Sequence, residues 1–253
     1  MSVAIDAARF DAVVFDLDGV LTDTARVHQA AWKLLFDEVL GAIEGTIDRR
    51  PFDREDYRSY VDGRARVDGV EAVLTSRGAR ISRGRPDDPP GTTTAWALAN
   101  RKNEHFLAAL AAEGVRAFPD AASLVRRVRA AKLGTAVVTA SQHRADVLAA
   151  ARIDELFDVH VDGIDAASLG LAGKPDPAMF LEASRRLGVR PARAVVLEDA
   201  LAGVAAGRAG RFGLVIGVDR TGDRDALEAA GAHVVVTNLG VIDVGGAKGG
   251  PLP

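Results

Sequence analysis

Apolar residues gather in five short, nearly unbroken runs: Ala12-Val13-Val14-Phe15, Thr135-Ala136-Val137-Val138, Ala194-Val195-Val196-Leu197, Gly213-Leu214-Val215-Ile216 and His233-Val234-Val235-Val236. A strand with one wet face would alternate apolar and polar residues, so continuous runs predict strands covered by helices on both faces. Between them, stretches at about 120–132, 144–151, 177–187, 200–209 and 224–230 carry the Ala, Leu and Arg of helices. Asp120 and Asp176 stand where N-caps are wanted, and Gly134, Gly188 and Gly231 where helices should stop. Strand and helix in short-linked alternation predict an α/β fold, a doubly wound parallel sheet.

One long segment breaks the rhythm. Between Phe15 and Thr135 the pattern offers helices and no buried strand. Ala31, Leu34, Leu35 and Val39 share one side of a helix from about Thr24 to Leu40, and a second helix runs from about Asn100 to Gly114. The stretch Arg80–Thr94, dense in Gly, Pro, Asp and Arg, reads as a loop. The expected organisation is an α/β core of residues 1–24 and 115–253, with a helical insert over 25–114. The Gly/Pro-rich end, about 245–253, reads as a loose tail.

Composition narrows the partners. The chain has 253 residues, enough for a substantial core plus an insert. A net charge of −3 gives no footprint for nucleic acid or a membrane surface. Without cysteine there are no disulfides, thiolate metal sites or cysteine nucleophiles. No signal-like or membrane-spanning run is present, so a soluble, cytoplasmic and monomeric protein is expected.

The chemistry is concentrated at strand ends. Phe15-Asp16-Leu17-Asp18-Gly19-Val20-Leu21-Thr22-Asp23-Thr24 places two carboxylates two positions apart where the first buried strand ends. Open α/β sheets bind ligands outside the carboxyl ends of their strands. A hydroxyl, Thr139, follows the second run. Lys174 lies in Gly173-Lys174-Pro175-Asp176-Pro177 before a helix, and Glu198-Asp199 closes the third run. Singly, each has a plain reading as a solvated turn, an N-cap or a surface charge. In this order they define a site.

In these motifs, and in His28 with Ala31-Trp32-Lys33, the chain resembles the haloacid dehalogenase-like superfamily of phosphotransferases, in its β-phosphoglucomutase-like branch. The resemblance spans the core. It implies Asp16 as nucleophile, Asp18 as general acid/base, Thr139 and Lys174 as phosphate grips, and Mg²⁺ held by Asp16, Glu198, Asp199 and the backbone carbonyl of Asp18. Elementary electrostatics agrees. Two carboxylates about 4 Å apart repel by roughly 4 kcal/mol at an effective dielectric of about 20, so four in one cleft call for a divalent cation and Lys174 before a phosphate can enter. Ligands that are all oxygen select a hard cation such as Mg²⁺.

A mutase, unlike a phosphatase, must exclude water and hold a second phosphate, and the insert is the natural lid. There, Gly63, Arg64 and Arg66 are candidate substrate contacts, Arg66 resembling the branch's grip on the non-transferring phosphate. His28, one helical turn after Thr24, is expected to support catalysis, and Trp32 to pack in the lid or line the sugar site. The loop Ala140-Ser141-Gln142-His143 is a further expected substrate contact. Here the sequence departs from the branch's Ser-Lys-Asn run and loses its lysine. Ala200 replaces a common serine, and the 80–95 loop lengthens the lid. The remaining glycine patterns fit neither a P-loop nor a dinucleotide fingerprint. The expected function is phosphoryl transfer on a sugar phosphate, first as a β-phosphoglucomutase acting on β-glucose 1-phosphate. A sugar-phosphate phosphatase is second, and a non-catalytic phospholigand-binding module third.

Overall fold

The computed structural model describes residues 3–44 and 46–245. Two strands open the chain, β1 (Val3–Asp6) and β2 (Ala12–Asp16). Helices follow: α1 (Ala25–Val39), the short α2 (Arg54–Asp56) running on into a wider turn over Tyr57–Val61, α3 (Arg66–Ser76) and α4 (Ala95–Glu113). Helix α5 (Pro119–Ala130) then begins an alternation: β3 (Gly134–Val138), α6 (Arg144–Ala151), β4 (Val159–Val161), α7 (Gly163–Leu169), α8 (Ala178–Arg186) and β5 (Ala194–Glu198). It continues through α9 (Leu201–Ala209), β6 (Leu214–Val218), α10 (Arg224–Ala230), β7 (Val234–Val236) and β8 (Ile242–Gly245). The chain forms two compact units, one of residues up to Asp23 and from Arg116 onward, the other Thr24–Val115. Among the described residues no helix is long and apolar enough to cross a membrane. The expected loose tail falls, after Gly245, outside the described residues.

The first unit carries a six-stranded sheet in the order β4-β3-β2-β5-β6-β7, every pair parallel. All five residues of β2 and of β5 are buried, as two helical layers require. Val14, Val138, Val196, Phe180 and Val204 belong to one apolar cluster on this sheet. Strand order reverses about β2, and β2 lies between β3 and β5. Its carboxyl end is thus the crevice where a doubly wound sheet takes its ligand. The five predicted strands and five predicted helices of this region are all present.

Three strands were not expected. Strands β1 and β8 pair with each other in parallel, Val3 opposite Ile242, as a separate two-stranded sheet. Strand β4 is a three-residue edge strand. Helix α7 was also unexpected. The expected caps shift too. Pro119 begins α5, so Asp120 is its second residue, where Arg220 grips its carboxylate with both Nη atoms, at 2.8 and 3.1 Å. Gly134 starts β3, and the turn before it is made by Lys132 at φ 58°.

The second unit is helical. Helix α1 buries Val27, Ala31, Trp32, Leu35, Phe36 and Val39, at the three- and four-residue spacing of one helix face. Trp32, Leu35, Phe36 and Val39 meet Val67, Val70 and Leu74 of α3 and Leu98 of α4 in a common core, while Val27 and Ala31 pack with Phe106 of α4. Helix α4 begins at Ala95, five residues before the expected Asn100, because Thr94 caps it by accepting from Ala97 N at 3.0 Å. The stretch from Arg80 to Thr94 is irregular, as expected.

Candidate active site

Register assembles the site before any side chain is considered. Asp16 ends β2 opposite Val138 of β3, and Phe15 stands opposite Leu197 of β5. Thr139 and Glu198, each one residue beyond those partners, therefore flank Asp16 at the same end of the sheet.

Side chains complete it. Lys174 is buried and donates to Asp16 Oδ1, in a very short contact, and to Glu198 Oε2 at 2.7 Å. Its ammonium also lies 4.9 Å from the centre of the Phe180 ring on α8. Burial alone would lower the lysine's pKa; Asp16 and Glu198 beside it outweigh that and hold it above its ordinary value. Burial, and then the neighbouring Glu198, push Asp16 well above the usual carboxylate range, with Lys174 opposing. Thr139 Oγ1 donates to Asp18 Oδ2 at 2.9 Å and accepts from Ser141 N at 3.0 Å. The loop Ala140–His143 thus departs from the hydroxyl that orients Asp18.

Carboxylate oxygens of Asp16, Glu198 and Asp199 all lie within 4.8 Å of one another. Three carboxylates so close, with one buried lysine among them, leave negative charge for a cation to neutralise, and their hard oxygens fit Mg²⁺. Asp18, the fourth carboxylate expected in the cleft, accepts from the Thr139 hydroxyl through Oδ2, and its backbone carbonyl is the metal contact that the family resemblance implies. Gly19 makes room for the group: its φ is +91°, and a Cβ there would sit 1.8 Å from Asp199 Oδ2.

The helical unit places its candidates as follows. Arg66 is the first residue of α3, half-buried, with Nη1 donating to Ala99 O at 3.4 Å. Gly63 turns the chain just before it at φ 70°, with Arg64 between them. Trp32 is 3% exposed and stacks on Phe36 with centroids 5.5 Å apart, so its ring is committed to packing. His28 stacks on Phe106 at 4.1 Å, and Lys102 Nζ donates to His28 Nδ1 at 2.7 Å. Lys102 was not anticipated. It is buried, with its ammonium 5.1 Å from the Trp32 ring and 4.9 Å from the Phe106 ring. Its only signal in the sequence was a cation amid the otherwise apolar face of α4.

Haloacid dehalogenase-like hydrolases match this chain over residues 10–211. A beta-phosphoglucomutase from Mycobacterium bovis is 47% identical over 234 residues, covering 90% of this chain and 89% of its own. A beta-phosphoglucomutase from Bacillus subtilis is 30% identical over 210 residues, covering 81% and 83%. The crystal structure of a beta-phosphoglucomutase from Clostridium difficile superposes with a TM-score of 0.71 at 25% identity, covering 91% of this chain and 92% of that one. The chain belongs to the haloacid dehalogenase-like superfamily, in its β-phosphoglucomutase-like branch. It is an enzyme, a phosphomutase or a phosphatase, and the non-catalytic module falls away.

Proposed function

We propose that the enzyme transfers a phosphoryl group through an aspartyl phosphate on Asp16, as a β-phosphoglucomutase converting β-glucose 1-phosphate to glucose 6-phosphate by way of a bisphosphate. The observation that carries this reading is Asp16 at the centre of the strand-end cluster, bound by Lys174 and flanked by Asp18 on the Thr139 hydroxyl. Asp16 attacks phosphorus in line with the departing oxygen. Asp18 gives its proton to that oxygen and later takes one from the accepting hydroxyl, and Thr139 keeps its carboxyl aimed at both. Lys174 stabilises charge on the equatorial oxygens. Asp16, Glu198, Asp199 and the Asp18 carbonyl would hold Mg²⁺, which when bound neutralises the phosphoryl charge. From the helical unit, Arg66 and Arg64 beside Gly63 would grip the phosphate not being transferred, with His28 in a supporting role. The substrate is then a small sugar phosphate, met in the cytoplasm by a monomeric enzyme.

Asp16→Asn removes the nucleophile, because an amide cannot form the acyl phosphate; turnover should fall by several orders of magnitude with the fold intact. Circular dichroism and product assay on a panel of hexose 1-phosphates, with and without added bisphosphate, check this. Retention of a tenth of the activity takes the role from Asp16. Excess EDTA should stop turnover and Mg²⁺ restore it; undiminished rates in EDTA would refute the cation. One observation favours the second reading, a sugar-phosphate phosphatase: Gln142 and His143 stand where the branch carries a lysine for the distal phosphate. The same panel separates the two, since a mutase yields the 6-phosphate whereas a phosphatase yields free sugar and inorganic phosphate.

A further inference from the structure

The loop that leaves Thr139 is not held by its own residues alone. Thr139 N donates to Val161 O at 3.0 Å, and Gly163 N donates to Ser141 O at 3.0 Å, so the loop lies along the junction of β4 and α7. At Gly163 the two backbones nearly touch. A Cβ there would stand 2.6 Å from Ala140 O, 3.1 Å from Gln142 Cγ and 3.3 Å from Ser141 C. The first of these is a backbone atom, so a side chain could be accommodated only by moving the loop itself.

Asp162, buried just before Gly163, ties the far end of the loop to the same junction. Its Oδ1 caps α7 by accepting from Ile164 N at 2.9 Å and Asp165 N at 3.0 Å, while Oδ2 accepts from Arg144 Nε at 3.0 Å. Arg144 is the first residue of α6, directly after His143. The dipeptide thus holds the loop at Ser141 and, through Arg144, at its far end, beside the anchor of Thr139 on Val161 O. Asp165 in turn accepts from Arg186 Nη2 of α8 at 2.8 Å, which braces α7 from behind.

We propose that Asp162 and Gly163 are positioning residues: they fix the Ala140–His143 loop against β4 and α7, and so set how firmly the part of the substrate remote from Asp16 is held. This rests on the phosphoryl-transfer reading above. The contacts described for them are to the loop backbone, Arg144 and the first turn of α7, none of them to Asp16, so the attack at Asp16 should be largely spared.

The test pairs Gly163→Ala with Asp162→Asn. Asparagine still caps a helix but gives up the charge paired with Arg144, which guards against a variant that merely fails to fold. Steady-state kinetics on a hexose 1-phosphate and on acetyl phosphate are expected to split. Gly163→Ala should lose at least tenfold in kcat/KM on the sugar phosphate, chiefly through KM, and less than threefold on acetyl phosphate. Asp162→Asn should follow in the same direction, more weakly. Amide hydrogen exchange of the wild type and Gly163→Ala should show faster exchange confined to residues 139–143. Equal losses on both substrates, an unchanged KM, or unaltered exchange in that loop would each overturn the proposal. A wild type inactive on both substrates removes the phosphoryl-transfer reading instead, while the exchange experiment still decides whether Gly163 holds the loop.

Discussion

Gly19 illustrates how one residue can be legible for one reason and necessary for two. In the sequence it is the glycine that lets the chain turn after the Asp pair, and its φ of +91° bears that out. The second reason is hidden in three dimensions, since the space a side chain would need is filled by Asp199 from another strand end. Gly19→Ala should therefore combine backbone strain, about 1–3 kcal/mol, with displacement of one carboxylate from the cluster. Mg²⁺ titration followed by thermal shift should show at least a tenfold weaker apparent affinity together with a lower Tm. Unchanged Mg²⁺ affinity would take Asp199 out of the cation site. Lys102 is the converse case, nearly invisible in sequence. A lysine on a helix reads as solvent-exposed, and only the packing of α1 against α4 brings it to His28 and two aromatic rings. Because the ammonium donates, His28 Nδ1 accepts, which leaves the ring proton for Nε2.

At the scale of elements, legibility followed burial. Strands β2 and β5 are buried along their whole length, and their unbroken apolar runs were unmistakable. Strand β1 alternates buried and exposed positions over four residues, and β4 has only Val159-His160-Val161, too short for any periodicity. Of the expected helix stops, Gly188 and Gly231 do turn the chain in the left-handed region after α8 and α10, while Gly134 does not. The turn after α5, where glycine was expected, uses Lys132 in the left-handed region at φ 58°, and Arg152 and Arg211 do the same after α6 and α9 at φ 56°. Ion pairs also act within a single element. Glu182 of α8 accepts from Arg185 at 2.7 and 2.8 Å and from Arg186 at 2.8 Å, and these two guanidinium groups hold its pKa down at about 2. A carboxylate depressed in the folded state stabilises the protein above its unfolded pKa, near 4.3, and that contribution disappears as pH falls through about 2. Urea unfolding of wild type and Glu182→Gln should thus differ at pH 5, with wild type the more stable, and the difference should shrink by pH 3. A gap that stays constant would mean Glu182 acts through packing rather than charge.

On the scale of the molecule, the sequence foretold an α/β sheet and a helical insert because the change of period between them is abrupt. Within the insert it was much less informative. Helix α3 was not assigned although Val67, Val70, Val73 and Leu74 recur at helical spacing, because the run is only eleven residues long and Gly69 interrupts it; the structure places Arg66 as its first residue. That placement sharpens the question of what the helical unit contributes. A group on the first turn of a packed helix is held more rigidly than one on a loop, and Arg66 is half-buried there, its Nη1 donating to Ala99 O at 3.4 Å. If its guanidinium grips the phosphate that is not being transferred, Arg66→Ala should damage the two-phosphate reaction far more than hydrolysis of acetyl phosphate, which has no second phosphate to hold. Losing such a charge-assisted contact costs about 2–4 kcal/mol, or roughly 30- to 1000-fold. His28→Ala should act in the same direction more weakly, since it holds no phosphate. The measurement is kcat/KM for both reactions in wild type and variant. Equal losses would mean that Arg66 serves the folding of α3. No loss on either would transfer the distal phosphate to Arg64 and favour the phosphatase, whose monophosphate substrate requires no second grip.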